Sequence, residues 1–325
     1  MKNYFFLITS IYFKTYYIVI ITFSIIEIDI SYYLYTLKFM NKKFYNTTIK
    51  DLKKFGFNTK NRTYIIAEIG INHRGDINIA KKLIESAART GVDAVKFQTY
   101  LTEKRAPKNN KEIFKILKDL ELPFEAFKEL KDYSKNCGVN FFSTPFDKES
   151  VEYLEKIETD LYKIASFDVV NHQLLKEVSK TGKPVIMSVG MSNLNEIEDA
   201  YNILKKGTDS IAILHCISSY PTPEENSNLS NMYEIQKRFN CIVGQSDHTN
   251  DIKVPIYAAA AGAQILEKHF KIDENFECID SAVSITEVQM KELVNEIRTL
   301  EKIFGEENFE LKKIERSVQV FRRPS

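Results

Sequence analysis

The sequence has no excess of charge of either sign. Its 45 basic and 44 acidic residues give a formal net charge of +1. A chain with this balance has no overall electrostatic field to attract nucleic acid or an anionic membrane surface. We therefore expect no nucleic-acid partner, and an anionic ligand must be held by a local group of side chains.

Cysteine is also scarce. The four cysteines are Cys137, Cys216, Cys241 and Cys278; none forms a CxxC pair, and Cys216 and Cys241 do not complete a thiolate cage by their spacing. A chain of 325 residues buries enough surface to fold without disulfide bonds. This pattern favours a reducing compartment, and we predict a cytoplasmic protein.

Long apolar runs are missing as well. The longest uncharged apolar run, Tyr16 to Ile26, is followed closely by Glu27 and Asp29. It is well short of the ~20 residues needed to cross a bilayer, and no small-residue cleavage site follows it, as a signal peptide would require. We predict that residues 1–47 form an apolar leader with no catalytic role. A surface anchor or amphipathic helix is the alternative.

After this leader, short β-branched runs alternate with amphipathic stretches, which is typical of strand–helix units around a parallel sheet. The predicted strands are Tyr64 to Ile69, Ala94 to Gln98, Asn140 to Ser143, Leu161 to Ala165, Val185 to Ser188, Ile211 to His215, Ile242 to Gln245 and Gln264 to His269. The predicted helices begin near Ile77, Phe124, Lys148, Gln173, Leu194, Ser230, Ile252 and Thr286. Eight such units fit a (β/α)8 TIM barrel of ~250 residues. We assign residues 48–310 to this barrel and residues 311–325 to a C-terminal tail.

Two local features support this register. Gly91 follows the first amphipathic stretch, where a helix commonly ends in a residue with positive φ. The lysine-rich connection from Tyr100 to Pro123 is longer than an ordinary βα loop. We predict that this connection carries a short helix of its own and acts as a lid.

Four of the five histidines lie at or just beyond predicted strand ends, where a barrel builds its active site: His73, His215, His248 and His269. For any single histidine, a hydrogen-bonding role is the plain alternative. The pair His248 and His269, on neighbouring strands, is predicted to converge on one metal ion. Two imidazoles that leave positions for water and substrate suit Mn²⁺ or Mg²⁺ better than a closed structural zinc site.

A second group of strand-end residues indicates anion binding. It consists of Lys96, Thr144, Lys163, Ser166, Ser188 and Ser218. Lysines inside a barrel mouth need negative charge nearby, and a phosphate would supply it. The alternative is a structural ion pair of either lysine with Glu68 or Asp168. Glu68 itself ends an apolar strand, as a metal or sugar ligand or an acid–base group. Asp247 orients a neighbouring group or caps the following helix.

These motifs, AEIGINH, KFQTY, FFSTPFD, YKIAS, HCISSYPTP, GQSDHT and EKHF, resemble those of the N-acetylneuraminate (sialic acid) synthase family. The resemblance runs from about Asn61 to Phe304, and the family includes legionaminic acid, pseudaminic acid and spore-coat polysaccharide synthases. It implies a homodimeric transferase that condenses phosphoenolpyruvate with an open-chain N-acetylated amino sugar such as N-acetylmannosamine. The products would be a nonulosonic acid and phosphate.

The resemblance also implies roles for single residues. His248 and His269 would hold the divalent metal, Mn²⁺ first, with Mg²⁺ or Co²⁺ as alternatives, and Glu68 and Lys163 would be catalytic. The residues implied to bind the two substrates are Lys96, Gln98, Thr144, Ser166, Asp168, Ser188, Ser218, Tyr220, Ser246 and Asp280. Gln98, Asp168, Tyr220 and Asp280 would face the sugar.

Some positions depart from the family pattern. The family commonly has Asn at Ser218 and Glu at Asp168, and its members continue into a small antifreeze-like domain that caps a partner's barrel. We expect no such domain within this sequence. Two other functions stay open: another barrel enzyme, either an aldolase or a 3-deoxy sugar-acid phosphate synthase, and a non-catalytic sugar-binding barrel.

Overall fold

The computed structural model describes residues 52–55, 63–107, 109–305 and 308–323. The predicted leader, residues 1–47, lies outside them. The described strands form a closed parallel barrel in which each strand pairs with the next along the chain and the last pairs with the first. The strands are β1 (Tyr64–Gly70), β2 (Ala94–Thr99), β3 (Asn140–Pro145), β4 (Tyr162–Ile164), β5 (Val185–Ser188), β6 (Ile211–Cys216), β7 (Ile242–Asp247) and β8 (Ile265–His269). The predicted (β/α)8 fold is confirmed.

Helices follow every strand and cover the outside of the barrel. They are α1 (Ile77–Thr90), α2 (Thr102–Arg105), α3 (Lys111–Leu120), α4 (Phe124–Asn136), α5 (Lys148–Lys156), α6 (His172–Lys180), α7 (Leu194–Leu204), α8 (Asn231–Phe239), α9 (Lys253–Ala260) and α10 (Glu287–Phe304). The connection after β2 holds two helices, α2 and α3, where one was predicted. Over the described ranges, none of the helices has the length and apolar character needed to cross a membrane.

Local signals account for the helix ends. The Asp76 side chain accepts hydrogen bonds from the backbone N–H groups of Asn78 and Ile79 and so caps the start of α1. At its end, Gly91 has φ 86°, as predicted. Thr286 and Gln289 form a capping box at the start of α10. Each cap supplies partners for backbone groups that a helix end leaves without them.

Alternation along the strands divides the core into two clusters. Ile65 and Ala67 point outward and pack with helix residues such as Leu83. Tyr64 and Ile66 point into the barrel and pack with the other inward-facing residues. Because strand side chains alternate between faces, the next inward position on β1 after Ile66 is Glu68.

The amino-terminal end of the barrel interior is closed by residues that precede β1. Leu52 and Phe55 are fully or almost fully buried and belong to the same cluster as Tyr64 and Ile66. This arrangement leaves the opposite end, at the carboxyl ends of the strands, as the open mouth of the barrel.

Candidate active site

The mouth of the barrel is a cavity of about 240 Å³ at the carboxyl ends of the strands. Twelve of the predicted site residues line it: Glu68, Lys96, Gln98, Thr144, Lys163, Ser166, Ser188, Tyr220, Ser246, His248, His269 and Asp280. They come from all eight strands or the turns that follow them. Alternation brings them together, because each strand places an inward side chain at the same level above the apolar interior.

A buried group of four charges forms the floor of this cavity. The Nζ atom of Lys96 lies 2.7 Å from Glu68 Oε2 and 3.7 Å from Glu267 Oε2. The Nζ atom of Lys163 lies 3.6 Å from Glu267 Oε1. We call these residues, Glu68, Lys96, Lys163 and Glu267, the charge quartet. Two lysines and two carboxylates balance one another, so the floor has no net charge when all four are ionised.

The two carboxylates of the quartet differ in their proton affinity. Burial raises the pKa of Glu68, and the attraction of Lys96 does not offset it. Burial also acts on Glu267, but Lys163 and Lys96 together hold its pKa well below the usual range. Two carboxyl groups whose pKa values are driven apart are suited to different tasks. Glu68 is the carboxyl group that can carry and release a proton, and Glu267 is a fixed anion.

Hydroxyl and amide groups surround the quartet. Lys163 Nζ donates a hydrogen bond to Ser188 Oγ at 2.7 Å, and Lys96 Nζ donates one to Thr144 Oγ1 at 3.1 Å. Gln98 Nε2 donates to Glu68 Oε1 at 3.0 Å, and Ser246 Oγ donates to Glu267 Oε1 at 3.0 Å. These donors and cations lie in a buried pocket, which is the arrangement that stabilises a phosphate or another anion.

The two predicted metal ligands lie side by side in the same cavity. The ring centroids of His248 and His269 are 5.4 Å apart. His248 Nδ1 lies 2.8 Å from the backbone oxygen of Ile217. Because a carbonyl oxygen only accepts, Nδ1 donates this hydrogen bond, and Nε2 is the ring nitrogen left to bind a metal ion. A backbone carbonyl behind one ring nitrogen is the usual way in which a protein orients a metal-binding histidine.

His269 has a carboxylate behind it instead. Its Nδ1 atom lies 3.4 Å from Asp280 Oδ2. Burial alone would lower the pKa of His269, but the carboxylates of Asp280 and Glu68 outweigh it and raise the pKa. Asp280 is held in turn by Asn72, whose Oδ1 atom accepts a hydrogen bond from the Asp280 backbone N–H at 3.2 Å.

The histidine pair fits a divalent ion only if other ligands complete its coordination shell. Within the described part of the chain, no three His, Cys, Asp or Glu side chains gather closely enough to hold a metal by themselves. His248 and His269 would therefore supply two nitrogen ligands, and oxygen atoms of water and substrate would supply the others. That ligand set suits an exchangeable octahedral ion better than a closed tetrahedral site.

Two of the predicted residues do not line the cavity. Asp168 follows β4 and accepts a hydrogen bond from Asn171 Nδ2 at 2.9 Å, and its buried Oδ2 atom has no partner among the described residues. The Ser218 side chain lies behind Gly190, where an added Cβ atom would come within 2.3 Å of Ser218 Oγ. A side chain at position 190 would therefore push against this wall of the site.

Other polar strand-end residues turn out to be structural. Asp247 points outward from the barrel, where it accepts a hydrogen bond from Lys268 Nζ at 2.6 Å. His215 Nε2 bonds the backbone oxygen of Ser227 at 2.8 Å. His73 accepts a hydrogen bond from the Gly75 N–H at Nδ1. Neither Asp247 nor these two histidines line the cavity described above.

Sequence reasoning missed two charged residues that line the cavity, Glu267 and Arg105. Glu267 follows Ile265 and precedes His269 with the same alternation, so its inward direction was readable from the EKHF motif. Arg105 comes from the connection after β2, where strand alternation gives no information. Of the ion pairs left open as an alternative, Lys96 with Glu68 is present, whereas Lys163 pairs with Glu267 and not with Glu68 or Asp168.

The chain is similar to several known proteins. The model of the NeuB family matches residues 83–309. The uncharacterized protein MJ1065 of Methanocaldococcus jannaschii is 47% identical over 75% of this chain and 72% of its own length. The N,N'-diacetyllegionaminic acid synthase of Campylobacter jejuni is 40% identical over 75% of this chain and 78% of the enzyme. The crystal structure of the N-acetylneuraminic acid synthetase of Leptospira borgpetersenii, 37% identical, superposes with a TM-score of 0.76 over 81% of this chain and 92% of its own.

Proposed function

This chain belongs to the NeuB family, and from that premise we propose that it condenses phosphoenolpyruvate with an open-chain N-acetylated amino sugar. Relatives in the family include enzymes that make legionaminic, pseudaminic and sialic acids, so the chain is an enzyme of nonulosonic acid synthesis. The finer assignment, phosphoenolpyruvate and N-acetylmannosamine or a related sugar as substrates, is our proposal.

The observation that carries the proposal is the layout of the cavity. Its floor presents Lys96 and Lys163 beside hydroxyl groups, which suit the phosphate of phosphoenolpyruvate. Beside the floor lie His248 and His269, which suit a divalent ion next to a sugar aldehyde. A reaction between a phosphorylated three-carbon acid and an aldehyde needs both kinds of group in one pocket.

The proposed reaction forms one carbon–carbon bond and breaks one carbon–oxygen bond. C3 of phosphoenolpyruvate attacks the aldehyde carbon of the sugar, whose oxygen takes a proton from Glu68 and becomes a hydroxyl group. Water then adds to C2, and its proton passes to Glu68. The resulting tetrahedral centre collapses to a ketone with loss of phosphate, so the new sugar acid keeps the carboxylate of the three-carbon unit.

The other polar groups of the site have the following roles in this scheme. Lys163, with Ser166 and Ser188, holds the phosphate and stabilises the charge that it gains on leaving. Asp280 and Tyr220 orient the sugar. A divalent ion bound by the histidines would polarise the aldehyde carbonyl. Mn²⁺ is the ion we propose first, with Mg²⁺ or Co²⁺ as alternatives.

The test is a panel of amino sugars incubated with phosphoenolpyruvate and Mn²⁺. The panel includes N-acetylmannosamine, its 6-phosphate and diacetamido sugars, with phosphate release and product mass as readouts. We expect equal amounts of phosphate and a nine-carbon acid from at least one sugar. Phosphate release without a sugar adduct, or no release with any sugar, would contradict the proposal.

One observation favours a second candidate. Burial lowers the pKa of Lys163, as it does for lysines that form a Schiff base in aldolases. Such an enzyme would need no metal and would be trapped by borohydride in the presence of substrate. A borohydride-stable adduct on Lys163 would favour this candidate over the condensation.

Homodimerisation and a cytoplasmic location stay predictions.

A further inference from the structure

Arg105 is a cation of the cavity that the proposed reaction does not use. It ends α2, in the connection after β2, and lines the same cavity as Lys96 and Lys163. Its Nη1 atom is buried and has no hydrogen-bond partner among the described residues. The two lysines, in contrast, each lie within ion-pair distance of a quartet carboxylate.

The guanidinium group of Arg105 lies over two aromatic rings. Its Cζ atom lies 4.5 Å from the ring centroid of Tyr100 and 3.9 Å from that of Phe146. Tyr100 follows β2 and Phe146 follows β3, so Arg105 lies above the half of the mouth that contains Lys96 and Thr144. These cation–π contacts hold the charged group in place without using its hydrogen-bond donors.

Burying a charged group with unused donors costs free energy unless a ligand supplies the missing acceptor. Burial lowers the pKa of Arg105, as expected for a cation without a close counter-charge, although Asp280 and Asp168 act in the opposite direction. An arginine stays protonated despite such a shift. The missing acceptor is therefore best supplied by an anion that enters the cavity.

We propose that Arg105 binds the carboxylate of phosphoenolpyruvate, an assignment that rests on the proposed function. Phosphoenolpyruvate has two anionic groups, and Lys163, Ser166 and Ser188 account for the phosphate. In the charge quartet, each lysine already lies within ion-pair distance of a carboxylate, whereas Arg105 does not. A planar guanidinium donates two parallel hydrogen bonds to a planar carboxylate, which a lysine cannot do.

The test compares binding of three anions to the wild-type protein and to variants, by titration calorimetry. The anions are phosphoenolpyruvate, inorganic phosphate and pyruvate. In Arg105→Gln, we expect the dissociation constant for phosphoenolpyruvate to rise by a factor on the order of 10 to 100. The constant for inorganic phosphate should change by less than about twofold, because phosphate contacts the other groups. Pyruvate, which has only the carboxylate, should lose its binding.

Matched variants separate this role from general charge and from folding. Lys104→Gln removes a positive charge one residue away, on a side chain that is 55% exposed and pairs with Glu149 outside the cavity. It should bind phosphoenolpyruvate as the wild type does. Arg105→Lys keeps the charge but not the planar pair of donors. It should lose less affinity for phosphoenolpyruvate than Arg105→Gln, at an unchanged melting temperature.

Four results would overturn the assignment. Equal binding of phosphoenolpyruvate by the wild type and Arg105→Gln would rule out the role proposed for Arg105 and leave the proposed function in place. An equal loss of inorganic phosphate binding would move Arg105 to the phosphate. A rise only in the KM for the amino sugar would move it to the other substrate. A wild-type protein that fails to bind phosphoenolpyruvate would remove the proposed function as well.

Discussion

At the scale of single residues, Glu68 and Glu267 both lie near Lys96, yet their pKa values are shifted in opposite directions. Lys96 lies 2.7 Å from Glu68 and 3.7 Å from Glu267, and Lys163 adds a second positive charge only on the Glu267 side. The unequal share of positive charge keeps Glu267 ionised and lets burial raise the pKa of Glu68. Proton transfer and charge balance are therefore divided between two otherwise identical side chains.

This division predicts different outcomes for two conservative substitutions. Glu68→Gln should lower kcat by a factor on the order of 10² to 10⁴, because it removes the proton acceptor. Glu267→Gln should lower the free energy of unfolding by about 3–5 kcal/mol, because it leaves buried lysines short of a counter-charge. Steady-state kinetics and urea unfolding of both variants check this.

The matched control for both is Glu129→Gln, on a side chain that is 55% exposed and pairs with Lys81 on the outside of the barrel. It should change neither kcat nor the free energy of unfolding. A catalytically normal Glu68→Gln would remove the assigned role of Glu68. A Glu267→Gln variant as stable as the wild type would show that the buried lysines do not depend on this carboxylate.

The histidine pair gives a second prediction at this scale. EDTA should abolish turnover and Mn²⁺ should restore it, because two imidazoles and water leave an exchangeable site. His248→Ala and His269→Ala should each lose Mn²⁺ binding, measured by calorimetry. His172→Ala, on the exposed surface of α6, is the matched control. Full activity in a metal-free preparation would contradict the prediction.

Strand alternation explains how far the sequence could predict the site. Residues on strands, such as Lys96 and Lys163, were placed correctly in the cavity because each sits an even number of positions from an inward apolar residue. Residues beyond the strands were harder. Asp168 lies in a short 3-10 helix after β4 and Ser218 in the loop after β6, where strand alternation does not fix the direction of a side chain, and neither lines the cavity.

At the scale of elements, the connection between β2 and α4 shows the same limit. Its length predicted a lid with one helix, but the two helices α2 and α3 and the inward direction of Arg105 depend on tertiary contacts. Tyr100 donates a hydrogen bond to the backbone oxygen of Leu117 at 2.9 Å, which ties the start of this connection to α3. Contacts of this kind, between residues far apart in a loop, leave no periodic signal in the sequence.

The short segment that closes the amino-terminal end of the barrel gives a prediction for an element. Phe55 is 2% exposed and packs in the same cluster as Tyr64 and Ile66. Phe55→Ala should lower the free energy of unfolding by about 3–5 kcal/mol, because a buried ring leaves a cavity. The KM values should stay unchanged, since the segment lies at the opposite end from the site. Lys53→Ala, at an exposed position of the same segment, serves as the control in urea unfolding.

At the scale of the whole molecule, His73 links stability to pH. Burial lowers its pKa to about 4, against 6.5 for a free side chain. Between these values the unfolded chain binds the proton and the folded chain does not, so stability falls as the pH falls from 6.5 toward 4. The full loss from this one residue is about 3 kcal/mol. Above pH 6.5 it contributes no pH dependence.

The free energy of unfolding is measured at about pH 7 and about pH 5, above and below the pKa of the unfolded histidine. His73→Gln should show a smaller loss between the two pH values than the wild type, because glutamine does not titrate. His172→Gln, which changes an exposed histidine, should behave as the wild type does. Identical pH dependence in all three proteins would show that His73 is protonated as easily in the folded state as in the unfolded state.

The closure of the barrel has a consequence for the order of events during protein synthesis. Glu68 and His269 are register partners across the contact between β1 and β8. The ribosome therefore synthesises β1, with Glu68, long before it synthesises β8, with His269. Until β8 docks beside β1, the growing chain has neither the histidine pair nor a closed floor. Nascent chains and fragments that lack the last strand should therefore be inactive.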